Sequence, residues 1–170
     1  MNINIDEIVK KALSFVGQKE NGANNSGFED PEFEELLRSF GWLPGQNWCA
    51  YAQMAVLQGL IPEDKFKLLS PSVNSIYWNF KSYNKKCIVK TVEIGHLAIF
   101  QVYKNGKPTW MGHIGLVTSI VDDITFKSAE GNGNSKGGSR GDEFVNIPRK
   151  LDFSPKKNGL VLRELIDLTK

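Results

Sequence analysis

The sequence predicts an α+β domain in which N-terminal helices pack on a central antiparallel β-sheet. Three observations carry that reading. Apolar residues in the first half recur at helical spacing, and after about residue 86 the repeat shortens to that of strands. Between two of the later apolar runs stands Asn105-Gly106, a strong hairpin signal that makes its flanking strands antiparallel. Helices first and strands second segregate the two kinds of element, as α+β domains do.

Taken in order, residues 5–16 set Ile5, Ile8, Val9, Ala12, Leu13 and Val16 on one helical face, with Gly17 as a stop. A second helix opens with Asp30 as N-cap and Pro31 at the first helical position. It turns Phe33, Leu36, Leu37 and Phe40 inward and ends at Gly41. A third starts at Cys49 and runs to about Gln58, closed by Gly59 and Pro62. A fourth begins at Ser70-Pro71 and buries Ile76, Tyr77 and Phe80. The run Leu97 to Tyr103 reads as a strand whose hairpin partner covers roughly Thr109 to Ile120. Asp122-Asp123 turns the chain into a further strand, about Ile124 to Ala129, that delivers Glu130. Short strands are expected near 144–147 and 160–164, completing a meandering sheet. With no internal repeat and no interdomain linker, residues 1–170 read as one domain. The Gly/Asn/Ser-rich stretch from Gly131 to Gly141 is expected to be a mobile loop beside the site.

Composition narrows the function classes. Of 170 residues, 41% are hydrophobic and 24% charged, which suits a globular chain and argues against disorder. The net charge is only +2, and no run of lysines or arginines marks a nucleic-acid surface. Lys85-Lys86 and Lys156-Lys157 read as solvated loops. No stretch approaches the roughly 18 apolar residues of a membrane span, and Met1 to Lys10 lacks a signal-peptide core. The expectation is synthesis in the cytoplasm without a secretion signal, so that work on a cell wall would follow release or injection. Cys49 and Cys87 could form at most one disulfide, and nothing else suggests a disulfide scaffold, so both are expected as free thiols. Cys87, in a strand-like context, reads as a small semi-buried residue.

Chemistry enters with three motifs in chain order. Cys49 opens Trp48-Cys49-Ala50-Tyr51, a thiol at the mouth of an otherwise apolar helix. Next comes Gly112-His113-Ile114-Gly115 on a strand, then Glu130-Gly131-Asn132 at the end of the following strand. A thiol acts as a nucleophile only as its thiolate, and the unpaired N–H groups of a helix's first turn favour that anion. The same N–H groups can donate to the oxyanion of a tetrahedral intermediate. An imidazole at His113 could take the thiol proton and later protonate a leaving amine, and the glycines beside it would allow helix and sheet to approach. Glu130 is the candidate to hold the second ring nitrogen, with Asn132 as a competing orienter. The other histidine, His96, follows a glycine turn with no acid or thiol motif nearby and reads as a turn or strand-edge residue. Each signal alone favours a structural reading, since a lone cysteine in an apolar helix is usually core and a lone strand histidine is usually a satisfied polar residue. Their order and element types together point to a cysteine hydrolase.

These residues, with Gly95-His96-Leu97-Ala98-Ile99-Phe100 on the preceding strand, resemble the CHAP amidase family within the NlpC/P60 papain-like group of peptidoglycan hydrolases. The resemblance runs from about Glu20 to Arg149. It implies a papain-like fold and a thiol mechanism that cuts an amide bond in bacterial peptidoglycan without a cofactor. The activity would be that of an N-acetylmuramoyl-L-alanine amidase or a stem-peptide endopeptidase. The implied roles are nucleophile at Cys49, general base at His113, orienter at Glu130 and supporting polar group at Asn132. Implied substrate positions are Glu20 and Asn25, in a glycine- and asparagine-rich loop that reads equally as a surface turn, together with Trp48 and Gln46. Three departures stand out. His96 occupies a position where members commonly carry Asp. The segment Phe40 to Trp48 lacks the acids with which some members hold calcium, so no metal is expected. Gln46 lies three residues before Cys49 rather than next to it, which leaves its part in an oxyanion hole in doubt.

Other readings use the same residues. A non-catalytic wall-binding or virion structural module could keep the fold, and a thiol protease or transferase could act on protein substrates, because fold and triad fix only acyl-transfer chemistry. Zinc ligation by Cys49, His113 and Glu130 lacks the short-spaced ligand pairs such sites use. The biological settings that fit are a phage lysis enzyme, a tail-associated enzyme, or an effector injected into rival bacteria. The last would come with an inhibitor (immunity) protein in the producing cell.

Overall fold

The structure is a computed structural model and describes residues 2–22, 24–134 and 141–170. Its helices begin where the capping chemistry directs. In α1 (Ile5–Ser14) the Asn4 side chain accepts from the Glu7 N–H, and in α2 (Pro31–Ser39) Asp30 accepts from the N–H groups of Glu32 and Phe33. Cys49 is the first residue of α3 (Cys49–Leu57), of which every residue but Met54 is buried. A helix apolar all round belongs inside a fold, and α3 sits between the sheet and the first two helices. A short α4 (Glu63–Phe66) precedes α5 (Val73–Tyr83), whose N-cap is Ser72. Four residues are too few to show a helical period, so α4 was not legible in the sequence.

Six strands follow: β1 (Ile88–Val89), β2 (Leu97–Lys104), β3 (Lys107–Asp122), β4 (Thr125–Gly133), β5 (Glu143–Lys150) and β6 (Gly159–Ile166). They form one antiparallel sheet in the order β1-β6-β2-β3-β4-β5. The hairpin at Asn105-Gly106 is present, with Asn105 and Gly106 both at positive φ. The sheet departs from the expected meander at its end. Instead of extending the β5 edge, β6 returns to pair with β2, Leu97 opposite Ile166 and Ala98 opposite Leu165. Turn signals fix which sequential strands pair, but not which free edge a later strand will find.

The two faces of the sheet carry separate cores. Leu97, Ile99, Ile114, Leu116 and Ala129 pack with the helices, whereas Ala98, Phe100, Val117, Phe126, Leu162 and Leu165 form a smaller cluster with Leu151 and Phe153. Buried on both faces, these strands lose the apolar–polar alternation of an exposed sheet. Helix α3 lies close to the end of β4. The Gln53 side-chain amide donates to the Ala129 carbonyl at 3.0 Å. A Cβ on Gly131 would come within 2.5 Å of the Ala52 Cβ and 2.6 Å of the Trp48 ring, so only glycine permits this approach. Among the described residues, no helix is long and apolar enough to cross a membrane. Much of the loop expected between Gly131 and Gly141 lies outside the described residues.

Candidate active site

Cys49 is brought to the sheet by the packing of α3. Trp48, the N-cap residue of that helix, makes no side-chain capping bond. Beneath it, the buried Trp48 indole donates to Glu20 Oε1 at 2.6 Å, and Glu20 Oε2 accepts the Asn25 backbone N–H at 2.5 Å. Phe28 and Phe33 meet the same indole edge-on, with centroids 4.9 and 5.9 Å away. The chain from Glu20 to Phe28 is thereby locked under the first turn of α3. Cys49 is only 6% exposed, yet it lines a cleft of about 240 Å³ with Asn47, Val73, Trp110 and Gly112.

The imidazole comes from β3 and its carboxylate from β4. His113 Nε2 lies 2.7 Å from Glu130 Oε2, and both side chains are wholly buried. Their meeting depends on the way the strands part. Pairing between β3 and β4 runs from Asp122 opposite Thr125 to Leu116 opposite Ala129, whereas Glu130 is paired to Val145 of β5. Gly115 leaves the space into which Glu130 turns, because a Cβ there would stand 2.5 Å from Glu130 Cγ. From β5, Arg149 closes the far side of the carboxylate. Its Nε donates to Oε1 at 2.8 Å and a terminal nitrogen donates to Oε2 at 2.5 Å, while the guanidinium lies 5.1 Å over the Phe100 ring. The result is a carboxylate held by a guanidinium on one side and an imidazole on the other.

Burial alone would lower the His113 pKa, but the Glu130 charge and hydrogen bond, together with the Cys49 sulfur beside the ring, outweigh it and raise the ring to about 9. Burial would likewise raise Glu130, but its bonds to Arg149 and the His113 charge bring it down to about 2. The pair is therefore an imidazolium–carboxylate over the neutral pH range. With Nε2 taken by Glu130, the nitrogen left over is Nδ1. It has no partner of hydrogen-bond geometry, although the ring interacts with Cys49. Sulfur and ring nitrogen are neighbours without a formed bond, an arrangement common in free enzymes whose contacts tighten on substrate.

The sequence left two orienters open, and in the structure it is Glu130 that touches the ring. Asn132, buried and at φ +55°, donates from Nδ2 to Asn47 Oδ1 at 3.1 Å, and its own Oδ1 has no partner. Of the implied substrate positions, Glu20, Asn25 and Trp48 are buried and support the N-terminus of α3 rather than line the cleft. Gln46 is exposed, but its side-chain oxygen accepts from the Leu43 N–H and the Tyr51 hydroxyl, which fixes the turn ahead of Cys49. His96 stands, as expected, in the turn that opens β2, and it is buried there. Its Nε2 lies 3.9 Å from Asp167 Oδ1, and burial lowers its pKa. Both cysteines are free thiols, with Cys87 Sγ directed at the Phe80 carbonyl. Among the described residues, no group of three or more His, Cys, Asp and Glu side chains is placed to hold a metal ion.

Two residues escaped the sequence reading. Arg149 carries no local signal, since only the β4–β5 register, with Phe126 opposite Arg149, brings it to the Glu130 side of the sheet. Asn47 could have been suspected as the polar side chain two residues before the thiol. No protein-family model matches the chain, and neither a curated protein nor a solved structure matches it.

Proposed function

We propose that the chain is a thiol hydrolase of the CHAP amidase type, within the papain-like NlpC/P60 group, and that it cleaves an amide bond of bacterial peptidoglycan. The observation that carries this reading is the order of contacts across the imidazole. Glu130 holds Nε2 at 2.7 Å, Nδ1 is left without a hydrogen bond, and the ring interacts with the Cys49 thiol at the start of α3, in a cleft. A carboxylate on one nitrogen and a nucleophile beside the other is the working geometry of a catalytic triad.

In the proposed reaction the amide carbonyl enters beside Cys49, whose proton resides on His113. Sulfur attacks the carbonyl carbon, and the developing oxyanion is met by N–H groups in the first turn of α3. The imidazolium then gives its proton to the amine as the C–N bond breaks, leaving a thioester on Cys49. Water, deprotonated by the now neutral ring, cleaves the thioester and releases the acid. Throughout, Glu130 stays ionised between Arg149 and His113 and stabilises the ring in its charged form.

Lysis of purified cell walls, followed by turbidity, tests the reading. Wild-type protein clears the suspension, while Cys49→Ala and His113→Ala leave it turbid although both remain folded by circular dichroism. Mass spectrometry of the released muropeptides then names the bond: a new amino terminus on the first stem alanine marks an amidase, and new internal peptide ends mark an endopeptidase. Lysis that persists after iodoacetamide has labelled Cys49 overturns the mechanism.

A further inference from the structure

Beyond Asn74 the Cys49 cleft adjoins a second cavity of about 450 Å³, formed by α5, the hairpin end of β2 and β3, and β6. Asn74 is the wall common to both. Its Nδ2 donates to the Trp110 carbonyl at 2.9 Å, on the cleft side, and its Oδ1 accepts from Arg163 at 2.8 Å, on the cavity side. Arg163 is half-buried and held on several sides. The guanidinium stacks 3.8 Å above the Tyr77 ring and lies 5.8 Å from that of Trp78, and it donates to Gln101 Oε1 at 3.4 Å. Gln101 is itself fixed, since its amide nitrogen donates to the carbonyls of Thr109 and Met111. A second cation stands nearby: Lys81 Nζ, 4.9 Å from the Trp78 ring, donates to the Tyr77 hydroxyl.

Among the described residues, no carboxylate answers these charges. The lining of the cavity contains neither Asp nor Glu, and neither Arg163 nor Lys81 forms an ion pair among the described residues. An arginine whose side chain is fixed by stacking and two amide oxygens, yet which meets no anion, is pre-organised for one. The neutral partners orient the guanidinium without cancelling its charge. We propose that this cavity is a subsite for a peptide carboxylate, bound by Arg163 against Trp78, of the same substrate whose scissile amide lies at Cys49. The assignment rests on the hydrolase reading for the identity of the ligand, but the cation and its cavity exist without it.

The test uses the full chain carrying Cys49→Ala, which binds without turnover, and a stem peptide isolated from muropeptides. One sample of the peptide keeps its carboxylates, and in the other every carboxyl is converted to a carboxamide. Binding is followed through the indole N–H resonance of Trp78. The carboxylate form is expected to bind roughly 10- to 100-fold more tightly, the range for one charge-assisted contact. Arg163→Gln should erase the difference and Arg163→Lys keep part of it. Equal affinity of the two peptides for the unaltered site overturns the subsite, and this comparison needs no variant at Arg163 to fold. The two readings fail separately. Cys49-dependent wall lysis with no carboxylate preference removes the subsite alone, whereas a carboxylate-dependent Trp78 shift in a protein that never lyses walls removes the hydrolase and leaves a carboxylate-binding site.

Discussion

Replacing Glu130 with Gln should uncouple the site while changing almost nothing in shape. Both carboxylate oxygens accept: Oε1 from Arg149 Nε, and Oε2 from His113 Nε2 and a terminal Arg149 nitrogen. A glutamine offers one acceptor oxygen, so its NH₂ must face a donor on one side or the other. If the oxygen stays with Arg149, the NH₂ meets Nε2, and the ring must carry its proton on Nδ1, the face the thiol needs as an acceptor. Loss of the charge also removes the largest influence that holds the ring at about 9, so burial pulls its pKa down. That rise from 6.5 to about 9 corresponds to on the order of 3 kcal/mol, at roughly 1.4 kcal/mol per pH unit. Because the His113 value is raised in the folded state, this stability is complete below pH 6.5 and is lost as pH climbs through about 9. Glu130 is shifted the other way, so its contribution is present above the ordinary carboxylate range and is lost as pH falls through about 2. Urea unfolding of the wild type should therefore show a midpoint that declines between pH 6.5 and 9, and Glu130→Gln should lack that decline. Wall lysis should fall by about 10³- to 10⁴-fold, the cost of a mis-set tautomer in a triad. The His113 ring proton, titrated by NMR, gives the third reading. A variant that keeps a tenth of wild-type lysis, or whose His113 still titrates near 9, would refute the assigned role of Glu130.

The remaining expectations concern neighbouring contacts. In Gly115→Ala the new methyl would crowd Ser128 Oγ, Glu130 Cγ at 2.5 Å and the Ala129 carbonyl at 3.2 Å, so about 1–3 kcal/mol of stability and most of the lysis should be lost, by urea titration and turbidity. Cys49→Ser should leave urea stability within about 1 kcal/mol and bring lysis to background, since the change of one atom in the cleft removes only the nucleophile. Glu20→Gln should cost about 1–3 kcal/mol in urea, because one acceptor cannot serve both the Trp48 indole and the Asn25 N–H. The triple variant His113→Leu, Glu130→Met, Arg149→Met should be as stable as wild type or more so by about 1–4 kcal/mol, yet inert on cell walls.

Much of the helical half was legible because its signals are local. Asp30-Pro31 marks the start of α2, and the apolar run after Trp48 places α3 within a residue or two of its observed ends, while α5 starts at Val73 behind its Ser72 cap, slightly later than Ser70-Pro71 suggests. The strands from Leu97 to Ala129 were equally readable, since a strong turn separates the first two and paired aspartates the next. What stayed hidden depends on partners distant in sequence. Nothing near Leu160 announces that β6 pairs with β2, and nothing near Arg149 announces Glu130. The glycine- and asparagine-rich stretch after Glu20 reads as a groove wall or a surface turn, but Glu20 and Asn25 are buried, and Glu20 is tied to the Trp48 indole across 28 residues. Composition alone cannot separate a polar loop that faces solvent from one that braces a helix end.

The two histidines stand in contrasting surroundings, and the contrast supports the proposed role of His113. His96 is buried like His113, but its carboxylate partner stands 3.9 Å away and burial dominates, so the ring is driven toward its neutral form. His113 has a carboxylate at 2.7 Å that is itself clamped by an arginine, which keeps a charged ring in a place that burial penalises. Removing such a trio from water costs more than its mutual attraction reliably returns, and apolar side chains would fill the same sheet face at least as well. Stability therefore supplies no reason for it. A trio kept only for structure would need the glycine at 115 just as much, but it would have no need of a thiol beside the ring or of a cleft reaching that thiol. The proposed transfer of a proton between sulfur, ring and a leaving amine would use both.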